Sequence, residues 1–129
     1  PTTFHGLMTN GFPNQFCIGY IQGGLNATVT EQFGEQGNEA AYIIAETLKR
    51  GAAVVEPTLA AQEAYLKTFR ELEIDMSQTL AECPPGYFNN EGGDSKWALF
   101  RGWGHGWGAF QAMIGDWRAK GDLAGLDVK

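Results

Sequence analysis

Apolar residues recur at helical spacing in three stretches of this chain, and short aromatic runs lie before and between them. The first stripe, Phe33, Ala40, Ile44 and Leu48, predicts a helix from about Thr28 to Arg50 with one buried apolar face. Thr28 and Glu31 have the spacing of a capping box, so Thr28 is expected to close the helix start. Lys49 and Arg50 suit the negative helix end, and Gly51 suits the C′ position. Gly34 and Gly37 inside this helix point either to close packing or to a kink. A second stripe, Leu66, Phe69, Leu72, Met76 and Leu80, follows Glu56-Pro57-Thr58 and predicts a helix over 58–82, capped by Thr58 and stopped by Pro84-Pro85. A third, Trp103, Trp107, Phe110, Ile114 and Trp117, predicts a helix over 106–120.

Between the stripes, residues 3–9 and 15–21 read as two strands separated by Asn10-Gly11 and Phe12-Pro13, and residues 97–101 as another strand. Residues 84–96, rich in Pro, Gly and Asn, are expected to form a loop, and the tail after Lys120 to be irregular. The expected fold class is therefore α+β, mostly α, in a single domain spanning 1–129. The chain opens on Pro-Thr-Thr-Phe, inside an expected strand and without an initiator methionine. That suggests a fragment or processed piece, or simple methionine removal before a small residue.

Charge narrows the partners. The net charge is −6, the acidic residues are spread along the chain, and no basic patch exists to neutralise phosphates, so nucleic-acid binding is not expected. No apolar run approaches the roughly 20 residues that span a bilayer, and the N-terminus lacks a signal-peptide pattern. A cytoplasmic setting is the expectation, with Cys17 and Cys83 as reduced core thiols.

Most candidate chemistry falls away on inspection. His5 and His105 have no partners at metal-ligand spacing, so no metal site is expected. There is no G-x-S-x-G elbow, and Cys17 with His5 reads better as a buried thiol in an apolar run than as a catalytic pair. Neither a G-x-G-x-x-G after a strand nor a Walker lysine is present. Asn26-Ala27-Thr28 has the form of a glycosylation sequon but reads as helix-start chemistry. No catalytic residue is assigned. What remains is the turn Gly23-Gly24-Leu25-Asn26-Ala27-Thr28. It is either an ordinary connection into a helix or a place where the N–H groups of Thr28, Val29 and Thr30 meet an electron-rich ligand edge.

Family resemblance enters with these residues. FHGLMTNGFPNQFCIGYIQGG, the helix ending IIAETLKRG followed by VEPT, and ALFRGWGHGWGAFQAMIGDW resemble, in order and spacing, the last segment of flavin-dependent Baeyer–Villiger monooxygenases. The resemblance implies a C-terminal piece of an FAD/NAD(P)-binding, Rossmann-like flavoprotein. It implies that Gly19, Thr28, Val29 and Thr30 lie beside FAD, and that Gly24 and Leu25 face the substrate pocket. It implies that the loop residues Tyr87, Phe88 and Asn89 contact NADPH. The family's Thr-Gly-Pro is Ile18-Gly19-Tyr20 here, Tyr87 stands in place of its loop tryptophan, and the loop lysine is absent.

The resemblance further implies a parent enzyme that inserts one oxygen atom of O2 next to a ketone carbonyl, with the FAD-binding domain as the missing partner. The dinucleotide-binding glycines and the family fingerprint are absent, so this chain alone is expected to be inactive and to bind neither FAD nor NADPH tightly. The alternative is a stand-alone non-catalytic module acting through homo-oligomerisation or small-ligand binding. In isolation the chain is expected to dimerise through strand 15–20 and the Trp103–Trp117 stripe, a contact that Trp107→Glu would weaken.

Overall fold

The computed structural model describes residues 2–74, 77–93 and 102–129. Their elements run, in order, α1 (Val29–Lys49), β1 (Val55–Pro57), α2 (Leu59–Leu72), α3 (Ser77–Ala81), a 3-10 segment (Tyr87–Gly92), α4 (Gly106–Lys120) and β2 (Leu126–Val128). The mostly helical class and the three long helices match the apolar periodicity. The strand expected over 97–101 lies outside the described residues, as do Met76 and the Leu80 side chain of the second stripe.

Several expectations are overturned. The second helix ends at Leu72, and α3 is a separate short helix. The tail is partly regular: β2 pairs antiparallel with β1, Val55 opposite Val128 and Pro57 opposite Leu126. Residues 3–9 and 15–21 are not strands. Phe4 and Met8 form a lone bridge around a tight turn, with His5 and Gly6 at positive φ, and 15–21 has no strand at all. Gly6 is required there, because a Cβ would sit 2.4 Å from the Ile21 carbonyl oxygen.

Without strand ladders, the backbone of this N-terminal stretch needs other partners. It finds them one by one. Cys17 N–H donates to Leu7 O at 2.7 Å and Asn14 N–H to Val55 O at 2.9 Å. Thr3 N–H donates to Gln22 Oε1 at 2.8 Å, Asn10 N–H to Gln62 Oε1 of α2 at 2.8 Å, and Gly11 N–H to Glu56 Oε2 of β1 at 3.0 Å.

That stretch changes the meaning of α1. Its buried residues are Gln32, Gln36, Glu39, Ile43 and Thr47, a largely polar stripe. Of the apolar stripe expected to be buried, Phe33 and Ala40 are half-buried, with Ala40 packed against the core, while Ile44 is 45% and Leu48 64% exposed. The helix packs on irregular backbone, which demands hydrogen-bonding side chains, so the polar face goes in. Thr28 precedes α1 without a side-chain cap bond, so the capping box does not form. Asn26 replaces it, with Oδ1 accepting from Thr28 N–H at 2.9 Å and Nδ2 donating to Glu31 at 2.9 Å. At the other end the expected glycine cap forms. Gly51 has φ 68°, its N–H bonds Leu48 O, and Ala52 N–H bonds Thr47 O. Thr58 caps α2 as expected, accepting from Ala61 N–H at 3.2 Å. A Cβ on Gly34 or Gly37 would meet nothing within 4 Å, so neither marks close packing among the described residues.

The core gathers Phe4, Leu7, Met8, Ile43, Phe69 and the α4 aromatics. Trp103, Phe110, Ile114 and Trp117 are buried in the chain's own interior and Trp107 is half-buried against it, so most of the stripe expected to drive dimerisation is covered. Glycines admit the close approaches. A Cβ on Gly104 would lie 1.5 Å from Leu72 O, and one on Gly102 would lie 2.5 Å from Leu25 Cγ. Both cysteines are free, but Cys83 is exposed and so is not the core thiol expected.

At the centre stands a buried ionisable pair. His5 Nδ1 lies 2.9 Å from Glu39 Oε1, and both residues are nearly inaccessible to solvent. The imidazole stacks on Phe4 at 3.9 Å and meets the edges of Tyr65 and Trp117. The Tyr65 hydroxyl donates to the Gln22 carbonyl. Burial, reinforced by Glu39, pushes the Tyr65 phenol far above the usual tyrosine range.

Two stability predictions follow from this cluster. His5→Ala or Glu39→Ala alone should cost about 3 kcal/mol, because the remaining partner is stranded in the core. The double substitution should cost clearly less than the sum of the two. Urea denaturation of the four proteins measures the coupling, and additive losses would show that the pair is independent. The second concerns high pH. An unfolded tyrosine ionises near about pH 10 while folded Tyr65 keeps its proton. Above that pH the unfolded chain binds fewer protons than the native one, so stability is full below about pH 10 and falls as pH rises. Tyr65→Phe should flatten this alkaline limb, and an unchanged limb would refute the assignment.

Candidate functional site

The turn into α1 is built from the helix outward. Gln36 holds both polar groups of the Gly19 residue: Oε1 accepts from Gly19 N–H at 3.0 Å, and Nε2 donates to Gly19 O at 2.8 Å. One helical turn earlier, Gln32 Nε2 also donates to Gly19 O at 3.3 Å, and its Oε1 accepts from Asn26 N–H at 2.9 Å. Gln32 is 1% and Gln36 7% exposed. The segment 19–26 is thus tied at both ends to one helix face.

Within that segment, Gly23 and Gly24 are buried against Phe110. A Cβ on Gly24 would come within 2.7 Å of the Phe110 ring, so glycine is what lets the turn close on α4. Leu25 is half-buried over Gly102. Trp103 N–H donates to Gly23 O at 3.0 Å and fixes the approach to α4 from the other side.

Beyond Asn26 the chain is open. Ala27, Thr28, Val29 and Thr30 are exposed. The first backbone bond of α1 runs from Gln32 N–H to Thr28 O at 3.1 Å, so the N–H groups of Val29, Thr30 and Glu31 precede the helical ladder. The Thr28 N–H is taken by Asn26. Such a row of donors at a helix start suits the electron-rich edge of a planar cofactor or an anion. Of the three N–H groups expected to face a ligand, that of Thr28 is thus already taken, and those of Val29 and Thr30 remain as donors. Gly19 contributes the fixed position of the turn, since both its backbone groups are engaged.

The loop residues form a second cluster. Tyr87 is 77% exposed, whereas Asn89 is buried. Asn89 Oδ1 accepts from Gly86 N–H at 2.7 Å and from Gly92 N–H at 3.3 Å, and Nδ2 donates to Pro84 O at 2.9 Å. Asn89 organises the loop around its own amide. Asn90, Glu91 and Gly92 follow at positive φ. The Phe88 side chain lies outside what is described.

Elsewhere the structure offers little chemistry. His5 faces Glu39, not Cys17. Among the described residues no group of three His, Cys, Asp or Glu side chains could hold a metal, and no helix is long and apolar enough to cross a membrane. A groove of about 670 Å3 runs along α2 past Thr2, Leu59, Gln62 and Arg70 and contains none of the candidate residues. Sequence reasoning missed Gln32 and Gln36. The available signal was polar spacing, 32–36–39 on the helix face roughly a quarter-turn from the apolar stripe.

Comparison with known proteins bears on this arrangement. No protein-family model matches the chain. It is 36% identical over 127 residues to an FAD-binding monooxygenase of Hypomyces subiculosus, covering 98% of this chain and 21% of that protein. It is 35% identical over 128 residues to the pentalenolactone D synthase of Streptomyces exfoliatus, again covering 98% of this chain and 22% of the relative. A Baeyer–Villiger monooxygenase of Streptomyces coelicolor is 36% identical over 123 residues, with 92% and 19% covered. The chain thus spans about a fifth of the length of the curated relatives it matches.

Among solved structures, the polycyclic ketone monooxygenase of Thermothelomyces thermophila superposes with a TM-score of 0.84 at 25% identity, over 100% of this chain and 21% of that one. The cyclohexanone monooxygenase of Rhodococcus sp. Phi1, solved with NADP+, gives a TM-score of 0.75 at 18% identity, over 100% of this chain and 23% of that one, and so shares the fold. By sequence over nearly its whole length, and by fold, this chain belongs with the flavin-dependent Baeyer–Villiger-type monooxygenases as a segment of that family.

Proposed function

We propose that this chain is the C-terminal portion of an FAD- and NADPH-dependent monooxygenase that inserts one oxygen atom of O2 next to a ketone carbonyl. The observation that carries the reading is the near-complete match to about a fifth of FAD-binding monooxygenases, supported by the superposition on a ketone monooxygenase. When bound, FAD supplies the oxygen-activating chemistry and NADPH the hydride. This chain's residues bind and orient. The N–H groups of Val29 and Thr30, beside Thr28, meet the flavin edge and favour negative charge there. Gly19 sets the height of the turn. Gly24 and Leu25, held against Phe110 and Gly102, form a wall toward the ketone pocket. Tyr87, Phe88 and Asn89 form a loop toward NADPH, with Asn89 keeping its shape and exposed Tyr87 offering the contact.

A second observation supports a missing partner. Ile44 and Leu48, one turn apart on α1, are both exposed. An exposed apolar pair on one helix face suits contact with further protein. In this reading the FAD-binding domain covers it.

Two experiments test the reading. Equilibrium dialysis of the 129-residue chain should detect no micromolar FAD binding, since one helix start offers only part of a dinucleotide site. The protein carrying the preceding portion should bind FAD and place one atom from 18O2 into an ester or lactone. Failure to bind FAD would contradict the proposal, as would a stable dimer of the isolated chain with an activity of its own. Val29→Pro then tests the helix start. Proline is tolerated at the first helical position and the preceding Thr28 is already extended, so the fold should persist while one N–H disappears. The two-electron flavin potential should move negative, by roughly the 0.3–1 kcal/mol of a helix-end charge interaction. An unchanged potential would remove Val29 from the site.

A further inference from the structure

We propose that Gln32 and Gln36 are positioning residues that set where the start of α1 stands against the cofactor. The inference rests on the reading that this helix start meets FAD.

The geometry forms a continuous relay. Gln36 clamps the Gly19 N–H and C=O, Gln32 joins the Gly19 C=O to the Asn26 N–H, and the Asn26 side chain takes the Thr28 N–H. Each link is 2.8 to 3.3 Å long. Val29 and Thr30, the proposed flavin donors, come next in the chain. Their place is therefore fixed by side chains one and two turns further along their own helix. Neither glutamine can reach a ligand itself, because both are buried. Both act only through the backbone they hold.

Two buried amides are a poor choice for packing alone. A buried polar group is neutral at best when fully bonded, and an apolar side chain of like size would fill the space. What the amides provide is register. A glutamine donates and accepts at once, so one side chain can hold both groups of a peptide segment that has no strand neighbour. Leucine or methionine at 36 would leave the Gly19 N–H and one of its carbonyl bonds unmade, and segment 19–26 would lose its fixed end.

The test uses the full-length flavoprotein. Gln36→Leu, Gln36→Met and Gln32→Met are compared with Thr47→Val, a buried polar-to-apolar change at the far end of the same helix face. The readouts are the FAD dissociation constant, the visible circular dichroism of the bound flavin, and the Tm of the apo-protein. The glutamine variants should weaken FAD binding about tenfold and alter the flavin spectrum, beyond any loss of Tm. Thr47→Val should change Tm alone. If the glutamine variants lower Tm like Thr47→Val but leave FAD affinity and spectrum intact, their role is only structural and the inference falls. Should Gln36→Leu fail to fold, the two methionine variants decide the question on the same readouts. If the unmutated protein takes up no FAD, the functional reading fails first, and this inference fails with it.

Discussion

Buried backbone without a strand ladder must find its partners one by one, many of them side chains, and that requirement organises this protein. Residues 2–28 cross the core with a single β-bridge. Their N–H and C=O groups would be costly if left unmatched. Gln22, Gln32, Gln36, Glu56 and Gln62 supply the matches from four places along the chain. His5 adds its ring, tied to Glu39 although its φ of 56° lies in the left-handed region that disfavours side chains. The fold is a set of helices whose inner faces are selected to hold an irregular strap.

That selection shows in α1, whose inner face carries Gln32, Gln36 and Glu39 to meet the strap. α4 behaves in the ordinary way. Its aromatics fill the core, and the glycines around it allow the chain from 19 to 25 and the end of α2 to come within contact distance. The start of α1 sits where these arrangements meet, open to solvent, with donors ahead of the first helical bond. A relatively rigid scaffold thereby presents a short row of backbone N–H groups, which is what recognition of a flat, electron-rich edge requires.

Much of this was legible in the sequence. Helix periodicity located all three long helices, Thr58 and Gly51 marked their ends, and the string around GFPN and EPT carried the family. The failures share one physical cause. Aromatic runs at 3–9 and 15–21 have strand composition, but Gly6, Pro13 and Gly19 belong to a strap that forms no strand ladder. Because the strap is irregular, the face of α1 beneath it had to be polar, and the apolar stripe pointed roughly a quarter-turn away from it. Gln32 and Gln36 were invisible for the same reason, since a glutamine on a helix reads as solvated until something buried needs both ends of its amide. The β1–β2 pairing was missed because its two strands are three residues each and one of them contains Pro57.

Amide hydrogen exchange across residues 2–28, read peptide by peptide or by NMR, tests the central claim most directly. The account predicts slow exchange at Asn10 and Gly19, whose N–H groups are held by Gln62 of α2 and Gln36 of α1, comparable with the middle of α1 although neither lies in a helix or a strand ladder. Exchange at those two amides as fast as in an unfolded chain would contradict it, because the strap would then be lying on the helices without being held by them.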